Sequence, residues 1–364
     1  MMRLAVDLRM IGSGGIGSYI SELVPHLLRC ATCLLIGTHE QCLDFVRLEN
    51  AEFCFCDVQP FSARELFAFP RDVRTRINAC DAYYTPYCNI PAGIRVPVFS
   101  TIHDMVFFDV PNLTNAVGRA ARRWFYQRAV RRSDALFTVS EFSRSRIQHH
   151  LHCKKPLVLT YNAAPRYLTA PFDDADGGKP EKADEILFVG NIKKHKGLST
   201  LLEAFTTARE RGLTSRLVIV GSAERFRTGD VDTVRRLQEA EAAEGSPVAF
   251  TGRVPNAELK RLYARARLLV QPSLYEGFGI PPLEAMTVGT PALISDIPVF
   301  REIYGAYPVT FFRAGDAADL AEKLLAANGA GVDISAIESG YSYQKSAETI
   351  LETISDALSA RDVV

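Results

Sequence analysis

The chain has 364 residues, 47% of them hydrophobic, and its 42 basic and 42 acidic residues cancel to a formal net charge of zero. This size and apolar content fit about two domains of ~150 residues with buried cores and exclude a disordered chain. Zero charge argues against a generic nucleic-acid binder, and no apolar run reaches the ~18 residues that a bilayer crossing needs.

Arg3-Leu4-Ala5-Val6-Asp7-Leu8 predicts a first strand. The chain runs straight into it without a signal peptide, so a cytoplasmic protein, or one peripheral on the cytosolic membrane face, is expected. Gly12-Ser13-Gly14-Gly15-Ile16-Gly17 follows and opens a helix over 17–29 whose apolar face is Ile20, Leu23, Val24, Leu27 and Leu28. The glycine run contains Gly-x-Gly-x-x-Gly, the dinucleotide fingerprint, and Glu40 could serve as its ribose partner. An NAD(P)-dependent oxidoreductase is therefore one reading. Against it, Asp7-Leu8-Arg9-Met10-Ile11 is longer and more polar than the usual strand-to-glycine junction.

All eight cysteines lie in the first 153 residues. Cys30-Ala31-Thr32-Cys33 has redox or zinc spacing, but no second pair accompanies it and Cys33 enters an apolar run, so reduced, buried thiols are expected. Further strands are predicted at 33–37, 53–56, 82–84, 97–102 and 135–139, with Leu157–Thr160 closing this half. Thr101-Ile102-His103-Asp104 ends one of them, placing His103 at a strand end beside a carboxylate that could orient it. A helix over 115–131 carries Arg119, Arg122, Arg123, Arg128, Arg131 and Arg132 around Trp124-Phe125-Tyr126. It is either a solvated basic face or a contact for an anionic membrane or lipid diphosphate. Ser140 is placed to cap the next helix.

Asp173–Pro180 is polar and Gly-rich and reads as a linker. A second strand–helix series follows, with strands at 185–190, 216–221, 247–251, 267–271 and 291–294. Helices are predicted near 197–211, 229–243, 256–265, 282–288, 298–303 and 316–327. This alternation predicts two doubly wound α/β domains: 1–168, a linker over 169–184, 185–345, and a last helix over 346–364 with Ala347, Ile350, Leu351, Ile354 and Leu358 on one face.

The second domain carries the denser chemistry. Gly190-Asn191-Ile192-Lys193-Lys194-His195-Lys196-Gly197 joins a strand to a helix start, where three lysines are electrostatically costly unless an anion is present. Glu276-Gly277-Phe278-Gly279-Ile280-Pro281-Pro282-Leu283-Glu284 sets two carboxylates about a turn whose amides favour anions. Such a site suits a sugar on a nucleoside diphosphate. Asp174/Asp176 and Asp230/Asp232 have metal-binding spacing, but one pair falls in the linker and the other at a helix start, so solvated or capping roles are expected and no metal site is assigned.

The Glu-to-Glu segment, continuing through Glu284-Ala285-Met286 and Gly289-Thr290-Pro291, resembles the donor motif of retaining glycosyltransferases of family four, which have the GT-B fold. The resemblance spans nearly the whole chain. It implies two Rossmann-like domains facing a cleft and a C-terminal helix crossing back to the N-terminal domain. It further implies that Glu276 holds donor-sugar hydroxyls, that amides of Phe278, Gly279 and Ile280 meet sugar and phosphate, and that Glu284 binds the ribose. Lys196, with Lys193 as the second charge, would grip the phosphates. The family usually has Arg directly after the glycine, where this chain has Asn191. Gly14 and Gly15 would approach the diphosphate, His103 would lie at the donor sugar, and backbone groups of Arg253 and Val254 in Thr251-Gly252-Arg253-Val254 would meet the nucleobase. The implied reaction is metal-independent hexosyl transfer from a nucleotide sugar to a glycan or lipid-linked acceptor. Gly-Gly-Ile-Gly, Thr-Ile-His-Asp and Gly-Asn-Ile-Lys look most like bacterial mannosyl- or rhamnosyltransferases of surface-polysaccharide assembly, with GDP-mannose the first donor. A nucleotide-sugar epimerase of the same fold is the other alternative.

Overall fold

Strands buried on both faces read as continuous apolar runs, and parallel pairing requires a crossover between neighbours. Both features appear in the computed structural model, which describes residues 1–172, 178–221, 230–242, 245–335 and 341–362. The chain divides into two units: Met1–Phe108 with Asn115–Ala163 and Tyr341–Val364, and Asp109–Thr114 with Ala164–Gly340.

The first unit contains a parallel sheet of β1 (Arg3–Asp7), β2 (Thr32–Gly37), β3 (Ala51–Phe55), β4 (Ala82–Thr85), β5 (Val98–Thr101), β6 (Ala135–Thr138) and β7 (Leu157–Leu159), in the order β3-β2-β1-β4-β5-β6-β7. The two-residue period sorts each strand onto two cores. Leu4, Val6, Cys33 and Leu35 enter one, and Ala5, Leu34 and Ile36 the other. The helix Gly15–Cys30 covers the first face together with Ala347, Ile350 and Ile354 of the C-terminal helix Tyr343–Asp362. Ser346 Oγ donates to the Tyr161 carbonyl at 2.8 Å, pinning the start of that helix. The last helix thus packs on the N-terminal unit, as expected.

The second unit repeats the design with β8 (Glu185–Val189), β9 (Arg216–Val220), β10 (Val248–Gly252), β11 (Leu268–Gln271), β12 (Ala292–Ser295) and β13 (Thr310–Phe312), in the order β10-β9-β8-β11-β12-β13. The edge strand β13 was not expected from sequence. It has three residues, and only Phe312 is buried, so it carries no readable alternation. Helices Leu198–Glu210 and Ala317–Ala326 share one core through Leu201, Phe205, Leu320 and Leu324.

Residues 170–172, inside the stretch read as linker, are packed. Lys260 Nζ donates to the Ala170 carbonyl and lies 4.2 Å from the Phe172 ring centroid. Asp174 and Asp176 lie outside the described residues. In each sheet the strand order reverses at one place, between β1 and β4 and between β8 and β11. Ligands of doubly wound sheets bind beyond the carboxyl ends of the strands at such a reversal.

Candidate active site

At the second reversal, β8 runs into the basic loop and β11 into the Glu276 turn, and close backbone contact ties the two segments. Leu274 N–H donates to the His195 carbonyl at 2.8 Å. Gly197 has φ +69°, and a Cβ there would lie 1.9 Å from the Pro272 carbonyl oxygen, so no other residue fits. This contact brings Lys196 Nζ to 2.7 Å from both Glu276 carboxylate oxygens. Gln271 Nε2 donates to Ser273 Oγ at 2.9 Å, and Ser273 Oγ donates to Glu276 Oε1 at 2.7 Å. Ser273 and Gln271 were not singled out from sequence, because neutral polar residues beside a strand end carry no signal of their own.

Gly279 has φ +81°, and a Cβ there would lie 2.4 Å from the Phe300 ring and 3.3 Å from Glu276 Cγ. The Tyr304 hydroxyl donates to its carbonyl. Glycine therefore lets the turn pass between Glu276 and the aromatic floor. The helix Pro281–Thr287 follows. Pro281 and Pro282 carry no N–H, so donors toward an anion here come from 278–280 and Leu283 rather than from a full helix end. Glu284, in its first turn, is buried and accepts from the Tyr263 hydroxyl. Two lone-pair directions of that oxygen and the second oxygen give a carboxylate capacity for more than one partner.

The basic turn also holds His195, which is 7% exposed. Burial, then Lys196 and Lys193, push its pKa down to about 3, so the ring is neutral. Lys193 is half-buried and its carbonyl accepts from Lys196 N–H at 2.8 Å. Arg253 and Val254 follow β10 at the far edge of the sheet, after Gly252 with φ +70°. Asp232 lies 3.7 Å from Arg235 on an exposed helix start, an ordinary surface pair.

At the first reversal, β1 leads into the glycine loop. Gly14 has φ +62° and precedes the helix Gly15–Cys30, which has no acidic residue in its first turn and no side-chain cap. A Cβ on Gly17 would lie 2.7 Å from the Gly12 nitrogen, so Gly17 serves close packing of helix on loop. A Cβ on Gly15 would meet nothing within 4 Å. Neither packing nor a positive φ demands glycine there, which fits a position a ligand approaches.

His103 follows β5, with Nε2 2.9 Å from the Pro86 carbonyl. A carbonyl only accepts, so Nε2 carries the hydrogen and a neutral ring keeps its Nδ1 lone pair as an acceptor. Burial pushes the ring pKa down to about 4, against a smaller upward pull from that bond. The Tyr19 ring meets His103 edge-on at 4.9 Å. The sequence reading expected Asp104 to orient the histidine. Instead Asp104 Oδ1 accepts from Val106 N–H at 3.0 Å, and the Pro86 carbonyl holds the ring.

Beneath this end lies a cluster that sequence reading missed. Arg9 donates to Asp7 through Nε at 2.9 Å and Nη2 at 2.6 Å, and to Glu65 at 2.7 Å. Tyr83 and Asn89 complete the shell around Asp7. Burial opposes ionisation of Asp7, but Arg9 outweighs it and holds the carboxyl below its ordinary range. Its one sequence signal was the polar Asp7-Leu8-Arg9 ending of β1.

Cys33 is fully buried while Cys30 is exposed, and all eight thiols are free. Burial pushes the Cys33 thiol up to about 12, which suits a packing role. In the arginine-rich helix Ala116–Arg132, Arg128 and Arg132 tie down the carbonyls of Ile90 and Ile94, each at 2.6 Å. Arg122 stacks 3.9 Å over Phe107, and Trp124 remains 44% exposed. Among the described residues no helix is long and apolar enough to cross a membrane.

Comparison with known proteins covers both units. A profile described as Glycosyltransferase Family 4 matches residues 13–165, and one described as Glycosyl transferases group 1 matches 170–327. The O-antigen chain mannosyltransferase RfbU of Salmonella typhimurium is 30% identical over 56% of this chain and 53% of its own length. The O-antigen chain mannosyltransferase B of Escherichia coli is 27% identical over 61% of this chain and 59% of its own. The chain thus spans little more than half the length of these curated relatives. The sucrose-phosphate synthase of Thermosynechococcus elongatus shares the fold, with a TM-score of 0.66 and 16% identity over 100% of this chain and 98% of that one. Two profiles matched end to end, on two sheets of one GT-B design, place this chain among the glycosyltransferases of family four.

Proposed function

We propose that the chain transfers a hexosyl unit from a nucleoside diphosphate sugar to a hydroxyl of a glycan or lipid-linked glycan, retaining the anomeric configuration. The observation that carries this reading is the Lys196 ammonium set on both oxygens of Glu276 at a sheet reversal. An ammonium has three donors, and two meet Glu276, so the third is available to a phosphate oxygen. The carboxylate is thereby held ionised as an acceptor for sugar hydroxyls. Lys193 adds the second charge, and the amides of Phe278, Gly279 and Ile280 meet sugar and phosphate. Glu284 takes the ribose hydroxyls, and backbone groups of Arg253 and Val254 take the base. Gly14 and Gly15 offer amides to the diphosphate, and His103 accepts from a donor-sugar hydroxyl.

In the reaction the bond from the anomeric carbon to the phosphate oxygen breaks and the acceptor oxygen bonds to that carbon on the same face. The acceptor's proton passes to the departing phosphate. Lysines and amides stabilise the charge that develops there, so transfer needs no divalent cation and survives EDTA. Metal-restorable loss of activity in EDTA would overturn that part.

A mannosyl unit from GDP-mannose is the first donor to test, supported by the names of the relatives. The exposed Trp124 and the arginines of Ala116–Arg132 would add a peripheral contact with an anionic membrane. The deciding experiment is thermal shift against UDP, GDP, ADP, dTDP, their sugars and NAD(H). Stabilisation by one nucleoside diphosphate, larger with its sugar, is expected. Stabilisation by NAD(H) alone would assign the glycine loop to an oxidoreductase. Sugar binding with interconversion but no transfer would mark an epimerase.

A further inference from the structure

The Asp7–Arg9–Glu65 cluster is buried so completely that its side chains keep 2%, 2% and 0% of their surface, which is too little for it to touch a substrate. Its contacts nonetheless lead to His103. Asn89 donates both amide hydrogens into the cluster, to Asp7 Oδ2 at 3.0 Å and Glu65 Oε1 at 3.2 Å. Its own carbonyl accepts from Thr85 Oγ1 at 3.1 Å, and Thr85 is the last residue of β4. The same hydroxyl accepts from Tyr87 N–H at 3.4 Å. The turn over 85–89 is therefore closed on one hydroxyl and anchored by one amide. Pro86 lies inside that turn, and its carbonyl is the partner of His103 Nε2 at 2.9 Å.

We propose that Asn89 is a positioning residue: anchored by the buried charges and coupled through Thr85, it aims the Pro86 carbonyl so that His103 stays a neutral ring protonated on Nε2, with Nδ1 an acceptor for a sugar hydroxyl. Buried charge of this kind costs stability relative to an apolar core, and its best-attested return is a unique geometry. Asn89 suits the task because it has two donors for two carboxylates and one acceptor for the turn. Aspartate would bring a third negative charge, and leucine would leave both carboxylates short of a donor. The role of the ring in turnover rests on the proposed glycosyl transfer, whereas the state of the ring does not.

The test compares Thr85→Val and Asn89→Ala with the wild type and with His103→Gln. Thr85→Val removes the coupling hydroxyl and leaves the ion cluster whole, so it keeps the question open should Asn89→Ala fail to fold. In protein labelled with 15N-histidine, the ring resonances that vanish in His103→Gln are those of His103. The wild type should show one Nε2-protonated tautomer between pH 6 and 8, and both variants a mixture. Turnover should fall between about tenfold and a hundredfold, with the nucleoside diphosphate affinity of the Lys196 site unchanged. An unaltered tautomer in a folded variant overturns the proposal, as does turnover lost only in step with nucleotide affinity. A mixed tautomer, with full turnover in His103→Gln, would uphold the positioning and remove His103 from the reaction instead.

Discussion

In the N-terminal unit the charged side chains Asp7, Arg9 and Glu65 keep at most 2% of their surface, and the donors of Arg9 meet two carboxylates and the Val58 carbonyl. In the C-terminal unit Lys196 keeps 22% of its side-chain surface and Glu276 8%, and the lysine serves a single partner. Both sets stand at the reversal of a parallel sheet, yet they do different work. A saturated, dry cluster has no capacity left for a ligand and fixes backbone. A half-open pair with a donor to offer can take part in binding. Burial, more than the presence of charge, therefore separates architecture from chemistry here.

The largest effect should come from breaking the saturated cluster. Arg9→Ala leaves Asp7 and Glu65 buried without their cation, and loss of one partner in such a cluster costs about 3–5 kcal/mol. Urea unfolding of the variant should show that loss. A change within about 0.5 kcal/mol, the scale of an ordinary surface substitution, would mean that the cluster fixes nothing.

Lys196→Ala tests the other side of the comparison. Charge-assisted hydrogen bonds are worth about 1.5–3 kcal/mol, so affinity for the nucleoside diphosphate should fall roughly tenfold to a hundredfold. Affinity for the bare nucleoside should not change. Calorimetric titration with both ligands reads the difference, and equal losses would contradict a phosphate role. The fold should tolerate the change better than Arg9→Ala, because Glu276 retains Ser273 and lies near solvent.

The two glutamates sharpen the distinction within the second unit. Glu284→Ala should raise the dissociation constant of the nucleotide, since a ribose carboxylate binds ground and transition states alike. Glu276→Ala should mainly lower kcat. Losing a single ground-state contact is worth about 1 kcal/mol, so the Glu284 effect is the smaller. Unchanged kinetics in both variants would remove the turn from the site.

Much of this was legible in the sequence for one reason: doubly wound sheets write themselves as apolar runs separated by helices, and their binding loops fall at strand ends. The glycines at 14, 197 and 279 stand where backbone with positive φ was needed. What escaped depends on distant pairing. Glu65 lies 56 residues from Arg9 and Asn89 lies 82 from Asp7, and no local pattern joins them. Asp104 misled because a neighbour in sequence looked like a partner, while the actual partner of His103 is a backbone carbonyl 17 residues earlier. The short strand β13 failed for want of length. The excursion Asp109–Thr114, which joins the second unit and lets Tyr275 donate to Asp109 at 2.9 Å, likewise carries no local sign.

The smallest predicted effect is a pH dependence, and its sign follows from the two neutral histidines. Burial pushes His103 down to about 4, and burial with Lys196 and Lys193 pushes His195 down to about 3. An unfolded histidine takes its proton near 6.5. Between these values the unfolded chain binds more protons than the folded one, so stability is complete above about pH 7 and falls as the pH drops through 6.5 toward 4. Each ring can account for at most about 3 kcal/mol, and less for His103, whose residue is only partly buried. Replacing His103 with glutamine should therefore flatten part of the acid side of the stability curve. In turnover the consequence is a missing limb: a ring that stays neutral from pH 8 to pH 5 contributes no inflection near 6.5. An inflection at 6.5 that disappears in His103→Gln would show a ring open to protonation, and would move His103 from the buried, architectural kind of site to the half-open kind that Lys196 and Glu276 form.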